Sequence, residues 1–373
     1  MTKRYHWLHQ SQYLQPLSRA CKMCAEGSKM VVLITGKCPA HCFYCPLSKR
    51  KQHKDVIFAD EWQLTDENNT QVLIKEAQAI QAQGAGITGG DPLMVPDRTI
   101  RYIKLLKETF GKKFHIHLYT SGLKNTNSIK EMVQAGLDEI RFHPEPRFWS
   151  NMNTSPHAES IIHTAKLPVD TAIEIPSLPN KTKEIIDLIK WADQYTIDYI
   201  NLNELEFSEQ NEQALYLKGY QMKDDISAAA TQSQETAYDV LTYFERHPHH
   251  IGIHYCSSSF KDGVQLTNRM KRRAKNIATN HDIITEEGTL LKGIIEQTKK
   301  YEIKDIINIL EKQNITKKDY QINSEKKRIE IHPQLAEQLS EKPSFYQLSF
   351  FIIEEYPTAD HLEVERIPLS LQK

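Results

Sequence analysis

No stretch of this 373-residue chain approaches the ~20 consecutive apolar residues that a membrane-spanning helix requires. The opening segment, MTKRYHWLHQSQ, lacks the apolar core of a secretory leader. A surplus of one charge is missing too. The 47 Lys and Arg are balanced by 48 Asp and Glu, a net of −1, so no dominant nucleic-acid-binding face is demanded. There is no internal repeat and no low-complexity segment. Cysteine is sparse, six residues in all. The expectation is a soluble cytoplasmic protein with no membrane partner. In that compartment thiols stay reduced, and cysteines serve as ligands or redox groups rather than disulfides.

What is present is a long alternation. Strand-like runs at 29–35, 85–88, 114–119, 139–142, 169–175, 199–205 and 251–255 are separated by helical patterns at 66–83, 96–110, 128–135, 157–165, 181–194 and 236–246. Such alternation implies parallel pairing in a barrel or an open α/β sheet. Chemistry in such folds sits at the C-terminal ends of the strands. Residues 1–28 precede the series as an extension carrying a C-x2-C pair. The alternating unit spans 29–281, and a small α/β domain is expected over 282–373.

Within the strands, residues of one face are polar: His115, His117 and Tyr119; Arg141 and His143; Asp170 and Glu174; Asn201 and Asn203; His254 and Cys256. A barrel filled only for stability would be rich in Val, Ile and Leu. These faces are expected to line a polar cavity. The plainer alternative is one-sided burial, with the polar residues in solvent.

Cys38, Cys42 and Cys45 follow the first strand in GKCPAHCFYC, spaced C-x3-C-x2-C. Three thiolates so close can hold three corners of a cubane iron–sulfur cluster and leave one iron open to an external molecule. Gly89-Gly90-Asp91 ends the second strand at the same end of the sheet, where backbone can approach a ligand closely. A competing pattern exists. Cys21-x2-Cys24, then seventeen residues, then Cys42-x2-Cys45 matches a zinc ribbon, though it leaves Cys38 unused. A thioredoxin-like role for the first pair is weaker, because no helix start carries it.

Cys21, Cys24, His254 and Cys256 together make a Cys3His set suited to zinc or an auxiliary iron–sulfur cluster. Equally, Cys256 reads as a small buried hydrophobe and the pair as surface thiols. Two basic runs, 48–54 (SKRKQHK) and 269–275 (RMKRRAK), fit RNA phosphates or an acidic protein partner. A solvated face is the favoured reading of both.

CPAHCFYC, with Tyr44 before its last cysteine, followed one strand later by TGGDP, resembles the radical S-adenosylmethionine (SAM) superfamily over roughly residues 29–257. The contexts CFYCPLS and HYCSSSFKD, with the early C-x2-C, are similar to a largely archaeal set related to the pyruvate formate-lyase activating enzyme. The resemblance implies a partial (β/α) barrel with the small C-terminal domain appended. It implies a [4Fe–4S] cluster on Cys38, Cys42 and Cys45 that chelates SAM. Gly89, Gly90 and Asp91 would contact the SAM amino group, Asp91 standing where most members carry Glu. Glu174, Asn201 and Asn203 lie where ribose or adenine is often met. A low-potential electron donor of flavodoxin or ferredoxin type is implied as a partner.

Three functions remain open on the sequence. The first is a radical SAM enzyme acting on RNA, a nucleoside or a small metabolite. The second is a radical SAM activase or peptide modifier acting on a protein. The third is a non-enzymatic zinc-binding interaction module.

Overall fold

The computed structural model describes residues 2–224 and 227–369. Two compact units divide between Leu266 and Thr267. The helix Thr267–Ile277, expected from the sequence to close the first unit, belongs to the second.

The first unit starts with a hairpin, β1 (Arg4–His6) and β2 (Gln12–Leu14), then α1 (Arg19–Ala25). The strand–helix series follows: β3 (Lys29–Leu33), a second hairpin of β4 (Ile57–Ala59) and β5 (Trp62–Leu64), α2 (Gln71–Ala79), β6 (Gly84–Thr88), α3 (Pro96–Phe110), β7 (His115–Thr120), α4 (Ile129–Ala135) and β8 (Glu139–Phe142). It continues through α5 (Ala158–Thr164), β9 (Asp170–Ser177), α6 (Thr182–Gln194), β10 (Tyr199–Glu204), α7 (Glu212–Leu217), α8 (Ser233–Arg246) and β11 (Gly252–Cys256).

All eleven strands form one sheet in the order β1-β2-β11-β10-β9-β8-β7-β6-β3-β4-β5. From β11 to β3 every neighbouring pair is parallel; the hairpins at the two ends pair antiparallel. The two terminal strands, β1 and β5, do not meet, so the (β/α) barrel is partial.

Local chemistry sets the elements. α3 begins on Pro96, whose fixed φ suits a first helical residue, and stops at Gly111. α4 ends on Gly136 at φ 112°, a left-handed cap that a side chain would disfavour. The apolar strand faces, among them Ile116, Leu118, Ile140, Phe142, Ile173, Ile200 and Ile253, pack against helix residues such as Ile103, Leu106, Ile189 and Leu241 in one core. By the period of two, the polar faces point to the opposite side, the barrel interior.

That interior is filled, which corrects the expected cavity. α1 packs on β3, β6 and β7. It is tied to β8 and β10: Arg141 Nη2 donates to Ser18 Oγ at 2.9 Å, and Cys21 Sγ donates to Asn201 Oδ1 at 3.4 Å. His115, His117, Arg141 and His254 are all buried beneath it. The hairpins and α1 escaped the sequence reading because each is short and lacks a hydrophobic period.

The second unit, the small α/β domain expected at the C-terminal end, is built on an antiparallel sheet. Its strands run in the order Tyr320–Asn323, Arg328–Ile331, Leu290–Glu296, Ser349–Glu355 and Glu363–Pro368, with Asp282–Ile284 paired on Leu290–Glu296. Helices Ile303–Lys312 and Pro333–Ser340 share its core of Ile295, Ile306, Leu310, Ile331 and Phe350. Among the described residues no helix is long and apolar enough to cross a membrane.

Candidate functional site

The segment after β3 returns on itself. Gly36 N donates to Lys54 O at 2.7 Å, and His53 N donates to Gly36 O at 2.8 Å. A Cβ on Gly36 would sit 1.7 Å from Lys51 O, so only glycine permits the closure. The basic run 48–54 is therefore the return limb of the cysteine loop. Lys51 reaches Glu61 at 3.9 Å and lies over the Phe58 ring, and Lys37 pairs with Asp55 at 3.3 Å.

This closed loop and the end of β6 enclose a cavity of about 230 Å³ lined by Cys38, Cys42, Cys45, Gly89 and Gly90, with Gln52 and His53. Gln52 and His53 belong to the basic run 48–54, which the sequence offered as a binding face rather than as part of the cysteine site. The Gly-Gly step is docked by backbone bonds: Gly90 N to Thr35 O and Asp91 N to Lys37 O, each 2.7 Å. A Cβ on Gly89 would meet Thr35 O at 2.3 Å, and one on Gly90 would meet Lys37 O at 2.1 Å. The glycines thus admit the cysteine loop's own backbone to close approach.

Asp91 is fully buried. Its carboxylate accepts from Leu93 N (3.0 Å), Thr120 Oγ1 (2.8 Å), Ser121 N (2.9 Å) and Ser121 Oγ (2.5 Å). It pins the Gly-Gly turn to the C-terminal end of β7 and is not among the residues lining the cavity.

Burial raises the thiols of the loop, Cys38 to about 12 and Cys42 to about 11. As free groups they would be protonated, poor nucleophiles at neutral pH. A bound metal cation reverses this, because coordination deprotonates a thiol outright. Three soft sulfur donors on one cavity, opposite a backbone stretch without side chains, fit an iron–sulfur group. Among the described residues no three His, Cys, Asp or Glu side chains are gathered at the spacing of a single-ion site.

Glu174, Asn201 and Asn203 lie deeper in the barrel, away from that lining. Arg141 donates through Nη1 to Glu174 Oε2 and through Nε to Glu139 Oε1, both at 2.6 Å. Asn201 and Asn203 donate to Glu174 at 3.2 and 2.8 Å. Their polar atoms are committed to one another around a guanidinium that is 3% exposed. Arg141→Leu would leave Glu139 and Glu174 buried without their cation. The expected cost is about 3–5 kcal/mol, read as a lowered urea midpoint at unchanged slope.

Cys21, Cys24, His254 and Cys256 do enter the same interior. Asn201 Oδ1 lies 3.4 Å from Cys21 Sγ and 2.7 Å from His254 Nδ1, and the Cys256 thiol feels those of Cys21 and Cys24. Yet the sulfurs have protein partners: Arg141 donates to Cys21, and Gln265 to Cys256, each at 3.4 Å. Cys21 and Cys24 are not surface thiols, because α1 carries them into the barrel. The ribbon pattern does not make a ribbon. Its first pair sits on α1 in the interior, and its second lines the loop cavity.

One pair was missed. Tyr44 OH lies 2.8 Å from His143 Nε2. Both residues were visible separately, as the aromatic before Cys45 and as the residue continuing the polar face of β8. Their meeting depends on loop closure, which spacing does not encode. The second basic run, 269–275, lies on the helix of the second unit, where Arg273 is buried with its Nε donating to Pro357 O.

Residues 32–146 match the family described as the radical SAM superfamily, and residues 288–369 match a domain of unknown function, DUF8061. A protein of Methanocaldococcus jannaschii carrying the name "Putative glycyl-radical enzyme activating enzyme MJ0021" is 39% identical over 366 residues, 96% of this chain and 94% of its own. Among solved structures, Streptococcus suis SuiB bound to precursor peptide SuiA matches with TM-score 0.47 and 12% identity, over 72% of this chain and 61% of that one. Methylornithine synthase (PylB) matches with TM-score 0.41 and 12% identity, over 60% and 65%. This chain therefore spans less than two thirds of the length of each of these two chains.

Proposed function

The chain belongs to the radical SAM superfamily, and from that premise we propose that it holds a [4Fe–4S] cluster on Cys38, Cys42 and Cys45 and uses it to cleave SAM reductively. It is an enzyme of that class. The observation that carries the cluster assignment is the convergence of these three cysteines with Gly89 and Gly90 on one cavity. A cluster held there would supply the low-potential electron needed for reductive cleavage of the SAM sulfonium. The remaining work falls to this chain. The closed loop fixes the three sulfurs, the docked Gly-Gly turn offers bare backbone to the amino group of SAM, and Asp91 holds that turn. Glu174, Asn201 and Asn203 are the residues offered for the ribose or adenine of SAM, a role that would need their contacts with Arg141 and with one another to open.

The test is anaerobic reconstitution. The wild type should take up about four irons per chain with matching sulfide, and bind SAM. Uptake unchanged in the Cys42→Ala variant would sink the assignment.

The substrate reading is RNA, a nucleoside or a small metabolite, motivated by the second unit appended to the (β/α) barrel. A protein substrate is the second reading, supported by the name of the archaeal relative. RNA that co-purifies and is lost in high salt favours the first. A radical that appears on an added protein, and not on RNA, favours the second. Both need an electron donor of flavodoxin or ferredoxin type. The enzyme class excludes the zinc module as the chain's sole role.

A second metal, zinc or an auxiliary cluster on Cys21, Cys24, His254 and Cys256, is supported by their shared burial. It would have to displace the Arg141, Gln265 and Asn201 contacts. A Cys21→Ala/Cys24→Ala protein with full wild-type iron and zinc would remove it.

A further inference from the structure

We propose that His53 is a SAM-binding residue, its imidazole donating a hydrogen bond to the carboxylate at the amino-acid end of SAM. This rests on the reading of the cysteine cavity as the SAM site.

SAM brings an ammonium and a carboxylate to that cavity. The Gly89-Gly90 turn is assigned to the first. The second is an anion, and an anion taken out of water needs a donor in its place. No lysine or arginine is among the residues lining the cavity. Two cations of the loop are engaged elsewhere, Lys37 with Asp55 at 3.3 Å and Lys51 with Glu61 at 3.9 Å. Apart from the three thiols, the side-chain donors on the lining are His41, Gln52 and His53.

The backbone sets His53 apart from the other two. Its N donates to Gly36 O at 2.8 Å, and the following carbonyl, Lys54 O, accepts from Gly36 N at 2.7 Å. His53 is thereby fixed to the chain two positions before Cys38. Among the described residues no such backbone bond holds His41. His53 also has φ 60°, whereas Gln52 has no positive φ. That left-handed conformation disfavours a side chain and is free to glycine. The turn carries an imidazole there despite the strain, and strain of this kind gathers where a ligand is held. The residue is exposed at the cavity, so its ring is open to an incoming molecule.

The experiment compares SAM with decarboxylated SAM, which keeps the sulfonium, the amine and the adenosine. The dissociation constant of each is measured by calorimetry on the reconstituted, unreduced full chain, for the wild type and His53→Gly. Glycine removes the ring and relieves the φ, so iron content and thermal midpoint should match the wild type. SAM should bind about ten- to hundredfold more weakly, the loss of one hydrogen bond to a charged group. Decarboxylated SAM should bind as it does to the wild type. Weakening shared equally by both ligands, or no weakening, overturns the proposal. Should His53→Gly fail to take up iron, His53→Asp decides. Aspartate also accepts a left-handed backbone, and it sets carboxylate against carboxylate. It should weaken SAM and spare decarboxylated SAM; a loss shared by both, or none, overturns the proposal. Failure of both variants to take up iron overturns it too and makes His53 a structural residue. A wild type that forms no iron–sulfur group, or binds no SAM, overturns the site reading and the proposal with it, a distinguishable failure.

Discussion

Exchange of any one of Cys38, Cys42 and Cys45 for Ala reduces 5′-deoxyadenosine formation to background and leaves the chain folded. The loss is complete because the three sulfurs act as one unit: removing one corner leaves no stable cluster to carry the electron. The fold survives because the cysteines contribute little to it. They are half-buried on a loop held by other contacts, the Gly36–Lys54 and Gly36–His53 backbone bonds. A change of that kind costs about 1 kcal/mol or less. Product formation and the thermal midpoint, measured on the same samples, separate the two effects. A variant that unfolds would instead assign the cysteines a structural role.

Gly90→Ala should lose most of its iron. The added methyl group would lie 2.1 Å from Lys37 O and 2.5 Å from the Lys37 carbonyl carbon, both backbone atoms of the cysteine loop. A rotamer change cannot relieve that contact. The loop must move, and the bonds from Gly90 N to Thr35 O and from Asp91 N to Lys37 O go with it. Strain of this kind costs about 1–3 kcal/mol and displaces the cysteines from their common cavity. The sequence suggested that a side chain here would press on SAM; the geometry places the damage one step earlier, on the loop that carries the ligands. Gly219→Ala is the control. Gly219 has φ +81° but nothing within 4 Å of the added atom, so it strains the backbone without touching the loop. Its iron content should match the wild type.

The parallel series was legible because its strands and helices are long enough to show their periods. Residues 96–110 and 139–142 coincide with α3 and β8, each bounded by a proline, a glycine or a sharp change of pattern. The nearness of Cys38, Cys42 and Cys45 was legible from their spacing, and the structure sets all three on one cavity. What the sequence concealed is contact between distant segments. Nothing in RACKMCA announces a helix that fills the barrel, since its seven residues carry too little periodicity. The alternating His115, His117, Arg141 and Glu174 did reveal a polar interior. Whether that interior was open or filled depended on α1. Asp91 shows the same limit. A carboxylate after two glycines suggests a ligand contact, and only the approach of Thr120 and Ser121 shows that its oxygens are already used.

The most direct measurement is an assay for 5′-deoxyadenosine after anaerobic reconstitution with iron and sulfide, followed by reduction in the presence of SAM. The account predicts a brown protein that forms the product, and a Cys42→Ala variant that does not. A colourless protein holding zinc, with no product, would contradict it.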